Sequence, residues 1–229
     1  MSSSNSKGYT VEGKEGGLLA GTRKSKSDWV IAWHHWFFGI DAKDNPSYVQ
    51  SNYGDRSIDY NQGRYPPEFA DEKGKVYFLA GAAGTKFTTR SIIPYDTWQC
   101  ILVPVYIMSA CLEEFPSLDI PGLQDLVDKD VAGVNLDDQK SIRVTLDEVD
   151  IPKSKIEQIK IYDPFPVPLP DENILNLDMP FTKMITNGYW VFLDPDEIGP
   201  GEHTLYVLGK SKNYVTDTTY NLTIRGKKK

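Results

Sequence analysis

The chain has 229 residues, 40% of them apolar and 12% aromatic, which excludes a disordered polypeptide and leaves room for one large all-β domain or two small ones. Eighteen glycines, 15 prolines and 13 tyrosines favour strands and turns over helices. The formal charge is −7, but residues 1–27 carry +3 and residues 225–229 carry +4, so the body between them is −14. An acidic body repels nucleic acid and anionic membranes and confines any such contact to the basic ends.

Residues 1–27 are rich in Ser, Gly and Lys, lack periodicity, and predict an extended basic arm. The opening MSSSNSKGYT has no apolar core of a secretion signal. The expected setting is therefore an intracellular assembly, a virus particle included. Next comes SDWVIAWHHWFFG (27–39), which holds three of the five tryptophans and two of the three histidines. Asp28 as N-cap and Gly39 as terminator frame a helix of about ten residues. Trp29, Trp33 and Trp36 share one face of it, and the helix is apolar nearly all round, so it belongs in a core or an interface. His34 and His35 point about 100° apart and cannot converge on one metal.

Residues 41–75 are polar and turn-rich and predict a long wrapping loop. KVYFLAG (75–81) and KFTTRSIIP (86–94), joined by AAGT, predict a hairpin. CILVPVYIM (100–108) is apolar on both faces and reads as a central strand, although Pro104 demands a bulge or an edge. Residues 117–134 predict a second helix with Leu123, Leu126, Val127 and Val131 along one side. SIRVTLDEVDI, IEQIKIYD, YWVFLDP, HTLYVLGKS and TTYNLTIRG alternate as strands, whereas the prolines of 163–181 predict an extended surface crossing. No apolar run reaches the ~18 residues of a membrane span.

The absence of long βαβ alternation disfavours a parallel sheet. The expected fold is mainly β: an antiparallel β-sandwich, jelly-roll or immunoglobulin-like, with one or two short helices and an extended N-terminal arm. The expected organisation is an arm (1–27), one sandwich domain (28–226) and a basic tail (227–229).

The segments VYFLAG (76–81), GYW (188–190) and PGEHT (200–204), with a closing VTDTTYNLTI strand, together resemble a family of uncharacterised microbial proteins. That family's pattern runs from a Trp-rich helix through VWFLAG, GYW and PGxHT to a VTYxLT strand. The resemblance spans roughly 28–226 and implies a β-sandwich. It implies no catalytic residues, since the family has no established activity. The PGEHT corner is also similar to immunoglobulin-like sandwiches.

Chemical signatures are sparse. Cys100 and Cys111 lack zinc spacing and sit in apolar surroundings that hold thiols protonated. Asp194, Asp196 and Gly199 match three positions of a calcium loop, but Ile198 and Leu205 stand where ligands are needed. No nucleophile elbow, phosphate loop or HExxH motif occurs. Catalytic, cofactor-binding and metal residues are therefore all expected to be none. The expected function is a non-enzymatic structural or interaction protein, a β-sandwich subunit of a larger assembly such as a virion capsid or decoration protein. Its interface would use Arg23, Lys24, Lys26, Trp29, Trp33, Trp36 and Phe37, and its partners would be further copies of itself or other subunits. Two alternatives stand beside it: a carbohydrate- or small-ligand-binding sandwich using exposed tryptophans, and a hydrolase using His34, His35 or His203.

Overall fold

The structure, a computed structural model, describes residues 18–45, 56–57, 75–81, 86–94 and 100–225. In chain order its elements are α1 (Lys26–Phe38), β1 (Arg56–Ser57), β2 (Val76–Phe78), β3 (Lys86–Pro94), β4 (Cys100–Cys111), α2 (Ile120–Val131), β5 (Ile142–Leu146), β6 (Val149–Asp150), β7 (Ile156–Pro168), β8 (Phe181–Leu193), α3 (Pro195–Ile198), β9 (Gly201–Lys210) and β10 (Val215–Arg225). Strands dominate and form two sheets. One runs β1-β3-β10-β9-β5-β6, the other β2-β4-β8-β7.

The sheets are mixed: most pairings are antiparallel, as expected, but parallel pairings occur in both sheets. β3 runs parallel to β10 and to β1, and β2 runs parallel to β4, while the remaining pairings are antiparallel. The hairpin expected over 75–94 is absent for the same reason. β2 and β3 lie in different sheets, each paired with a strand distant in sequence. Local turn chemistry loses here to burial: all three β2 residues are buried where β2 pairs with β4.

Three layers result. Between the sheets lies one core, built from Ile101, Val103 and Val191 on one side and Val144, Val207 and Leu222 on the other. A second core lies on the opposite face of the four-stranded sheet, under α1. β8 shows the division by its period of two: Met184 and Trp190 face α1, while Tyr189, Val191 and Leu193 face the six-stranded sheet. α2 covers the far end of β4 and β8 with Leu123 and Val127 against Ala110 and Ile185. Leu123, Val127 and Val131 are buried as the periodicity predicts, and Leu126 is partly so.

α1 starts earlier than Asp28. Ser25 is the cap: its Oγ accepts the Asp28 N–H at 3.1 Å, and the Asp28 carboxylate accepts the Ser25 N–H at 2.8 Å. This reciprocal pair satisfies two amides that the first turn leaves open. Residues 18–27, part of the arm expected over 1–27, therefore fold onto the domain. Leu19 is buried under α1, and Thr22 Oγ1 accepts the Trp29 indole N–H at 3.2 Å. Residues 1–17 and the basic tail 226–229 lie outside the described residues.

Pro104 marks a β-bulge, the solution its position demanded. The β4–β8 register shifts between Pro104 and Tyr106, so Val105 and Tyr106 both face the six-stranded sheet. The proline-rich stretch is no simple crossing. β7 continues through it to Pro168, with Phe165–Pro168 still in register with β8 after a second bulge. β7 is an edge strand, so residues without an N–H cost it nothing on the solvent side. SIRVTLDEVDI is likewise two strands, β5 and β6. Asp147 and Glu148 turn the chain between them with positive φ values of 49° and 68°.

Candidate functional site

The three tryptophans of α1 are core residues, with exposures of 0–1%. The Trp33 ring stacks on Phe37 at 4.7 Å and meets Trp190 edge-on at 5.3 Å, while its indole N–H donates to the Leu79 carbonyl at 2.8 Å. Trp29 and Trp36 pack against Phe78. No tryptophan of this helix presents a face on which a sugar could stack. Of the basic residues at its N-terminal end, Arg23 is exposed. Lys26 pairs with Glu157 on β7 and covers the Phe192 ring. Lys24 lies between them in sequence and is half-buried.

His34 is fully buried and joins α1 to the sheet. Its Nδ1 lies 2.7 Å from the Val30 carbonyl and must carry the proton. Its Nε2, 2.8 Å from Ser109 Oγ, therefore accepts the Ser109 hydroxyl. Thr186 Oγ1 continues the chain, within reach of Ser109 Oγ at 2.9 Å and the Met108 carbonyl at 3.2 Å. Hydroxyl, imidazole and carbonyl stand in the order a nucleophilic site uses. The ring is a poor base, however: burial, with His35 adding to it, pushes its pKa down to about 4. Each polar hydrogen already has an acceptor, and the network reads as a clamp between α1, β4 and β8.

His203 faces two acceptors, the Asp147 carboxylate at 2.7 Å and the Gly199 carbonyl at 3.2 Å. It secures the β5–β6 turn to the PGEHT corner, and the His203 contact holds the Asp147 carboxyl below its ordinary value. His35 sits on the same buried helix as His34. Cys100 and Cys111 are both free and buried, at opposite ends of β4. That is some 35 Å at the rise of a strand, far beyond disulfide reach. Among the described residues no group of three His, Cys, Asp or Glu side chains could hold a metal ion, and no helix is long and apolar enough to cross a membrane.

A cleft of 510 Å³ beside β4 has room for a partner. It exists because β2 is short. β2 pairs with Cys100–Leu102, the Leu79 N–H donates to the Leu102 carbonyl at 3.0 Å, and the pairing ends there. From Pro104 to Cys111 that edge of β4 has no partner strand among the described residues, while β8 pairs along the other edge. Ile107, Met108 and Ser109 are half-exposed at the base. One wall is the C-terminal half of α1 with Phe37 and Phe38, backed by Ile174 and Leu175. Asp130 of α2 and Tyr214 on the approach to β10 stand opposite.

The charged lining consists of Glu114 and Asp130. Asp130 accepts the Tyr106 hydroxyl and sits 3.4 Å from Ser211 Oγ. Glu114 takes the Cys111 thiol at 3.3 Å; burial pushes its carboxyl up, and the neighbouring Glu113 charge adds to the shift. Of the residues expected at an interface, the structure brings Trp33 and Phe37 to this cleft. Arg23, Lys24 and Lys26 belong instead to the turn at the other end of α1. The sequence held one hint of the cleft, the misfit of Pro104 in an apolar strand.

Comparison with protein-family models, with curated proteins and with solved structures finds no match.

Proposed function

We propose that this chain acts by contact rather than by chemistry, as an interaction subunit of a larger assembly. The cleft beside β4 takes an extended segment of another polypeptide, which adds as a strand to the four-stranded sheet. One observation carries this reading: among the described residues, the β4 edge beyond Leu102 has no partner strand and lies at the base of an apolar cleft. The contrast with β7 strengthens it. That outer edge carries Pro164, Pro166 and Pro168 and the half-exposed Lys160, devices that stop strands from pairing indiscriminately. Ile107–Ser109 have none of these, and the cleft walls restrict access to a single extended chain.

Hydrogen exchange on the dilute full-length chain tests the reading. Amides of 106–110 that point away from β8 should exchange much faster than those of 184–190 in β8, and should become protected in the assembled state. Equal protection of both sets in the dilute chain would mean that the edge is already covered, and would sink the proposal.

A further inference from the structure

We infer that the segment this cleft takes is basic, with two lysine or arginine side chains five positions apart and apolar residues between them. The inference rests on the strand-addition reading above and adds the chemistry of the partner. Asp130 and Glu114 mark the two ends of the open edge. Asp130 is held by Tyr106 and Glu114 by Cys111, and five residues of strand separate those two anchors by about 17 Å. They also stand on opposite walls. Tyr106 faces the six-stranded sheet, whereas Cys111 belongs to the core under α1. An added strand projects successive side chains to alternate walls, so positions i and i+5 reach opposite sides. Between them, side chains on the α1 side meet Phe38 and Leu175, and those on the other side meet Met108 and Tyr214.

The electrostatics point the same way. Glu157, Asp150 and Glu197 have cations in Lys26, Arg143 and Lys155. Neither Asp130 nor Glu114 has a lysine or arginine partner among the described residues, and their bonds come from hydroxyls and a thiol. Two uncompensated carboxylates in an apolar cleft favour an incoming cation and penalise an incoming acid, which sets specificity more than affinity.

Isothermal titration calorimetry with the full-length chain tests this with three synthetic octapeptides. The first is Thr-Lys-Val-Val-Val-Val-Lys-Thr. The second has glutamate for both lysines, and the third keeps the lysines but has proline at both central positions. The basic peptide should bind at least tenfold more tightly than the acidic one. Glu114→Gln and Asp130→Asn should each shrink that preference several-fold, and the proline peptide should bind poorly. Asp130→Asn risks the Tyr106 contact, and Glu114→Gln supplies the same readout without touching it. Equal binding of basic and acidic peptides overturns the charge inference and leaves strand addition standing. A basic preference that survives both variants overturns it too, since the overall acidity of the body would then suffice. If no peptide binds, or the proline peptide binds as well as the first, the strand-addition reading falls with it.

Discussion

Gly209 of β9 and Val105 of β4 touch backbone to backbone across the sandwich. A methyl group on Gly209 would stand 2.3 Å from the Val105 carbonyl oxygen and 2.8 Å from Tyr106 Cβ. The bulge at Pro104 drives the β4 backbone toward the other sheet, and only a residue without a side chain leaves it space. Gly188 is pinned in the same way on the α1 side, where an added methyl would meet Ile107 Cγ2 at 2.6 Å and the Tyr106 carbonyl oxygen at 2.7 Å.

Gly209→Ala should therefore cost on the order of 3 kcal/mol in urea unfolding, as overpacking against backbone does. Gly199 gives the contrast. Its φ is +81° and it has open space around it, so Gly199→Ala should lose only about 1–2 kcal/mol, from backbone conformation alone. Equal losses at the two sites would refute the close approach.

The tryptophans of α1 should differ under the same substitution. Trp33→Phe removes a buried hydrogen bond to the Leu79 carbonyl. Trp36→Phe removes an indole N–H that is buried without an acceptor among the described residues, which offsets part of the lost packing. Trp33→Phe is expected to be the more destabilising by about 1–2 kcal/mol. Denaturant melts of the two variants side by side decide it, and a reversed order would disprove the assignment.

Stability should fall on mild acidification because of His34. Its folded pKa of about 4 lies below the ordinary 6.5, so between these values the unfolded chain binds a proton that the folded chain refuses. The contribution is complete above pH 6.5 and declines as pH drops toward 4, by on the order of 3 kcal/mol in all. His34→Gln should be less stable at pH 7 but should flatten that slope. Unfolding midpoints measured across this range check both points, and a parent chain with no slope there would count against a buried neutral ring.

Both thiols should resist modification in the native state. Cys100 is 2% exposed, and burial pushes its pKa far up; Cys111 is pushed up to about 11 by the same cause. Ellman's reagent should label neither quickly at pH 8, and should label both promptly in urea. Rapid labelling of Cys111 alone would show that the Glu114 end of the cleft opens.

The second helix, its buried face and the burial of the tryptophan helix were legible in the sequence, because a 3.6-residue period and an apolar circumference belong to one segment. The conflict at Pro104 was legible as a conflict, and the bulge resolves it. Partner choice was not. Alternation in KFTTRSIIP says that a strand exists and nothing of which strand lies beside it, so the parallel pairing of β3 with β10 had no local signature. The prolines of β7 misled because their cost depends on edge position, a property of the whole sheet. Ser25 was overlooked as a cap because Asp28, three residues on, suits that role equally well by residue type. The cleft was hidden for a related reason. Residues 37–38, 107–114, 130 and 214 come from separate elements, and its defining property, the early end of β2, is a missing neighbour rather than a motif.

The parallel pairing of β3 with β10 also sets a timetable. Lys86 must wait for Asp217 before its ladder can form, and Ile93 for Ile224. β10 lies between β3 and β9, so the six-stranded sheet cannot close until residue 225 has left the ribosome. Until then β3 has an unfilled side and the core between the sheets lacks Tyr220, Leu222 and Ile224, the condition in which nascent chains aggregate or engage chaperones. A stop codon that removes β10 would therefore do more than shorten a sheet. It would leave a translated chain whose earlier strands have no arrangement to settle into.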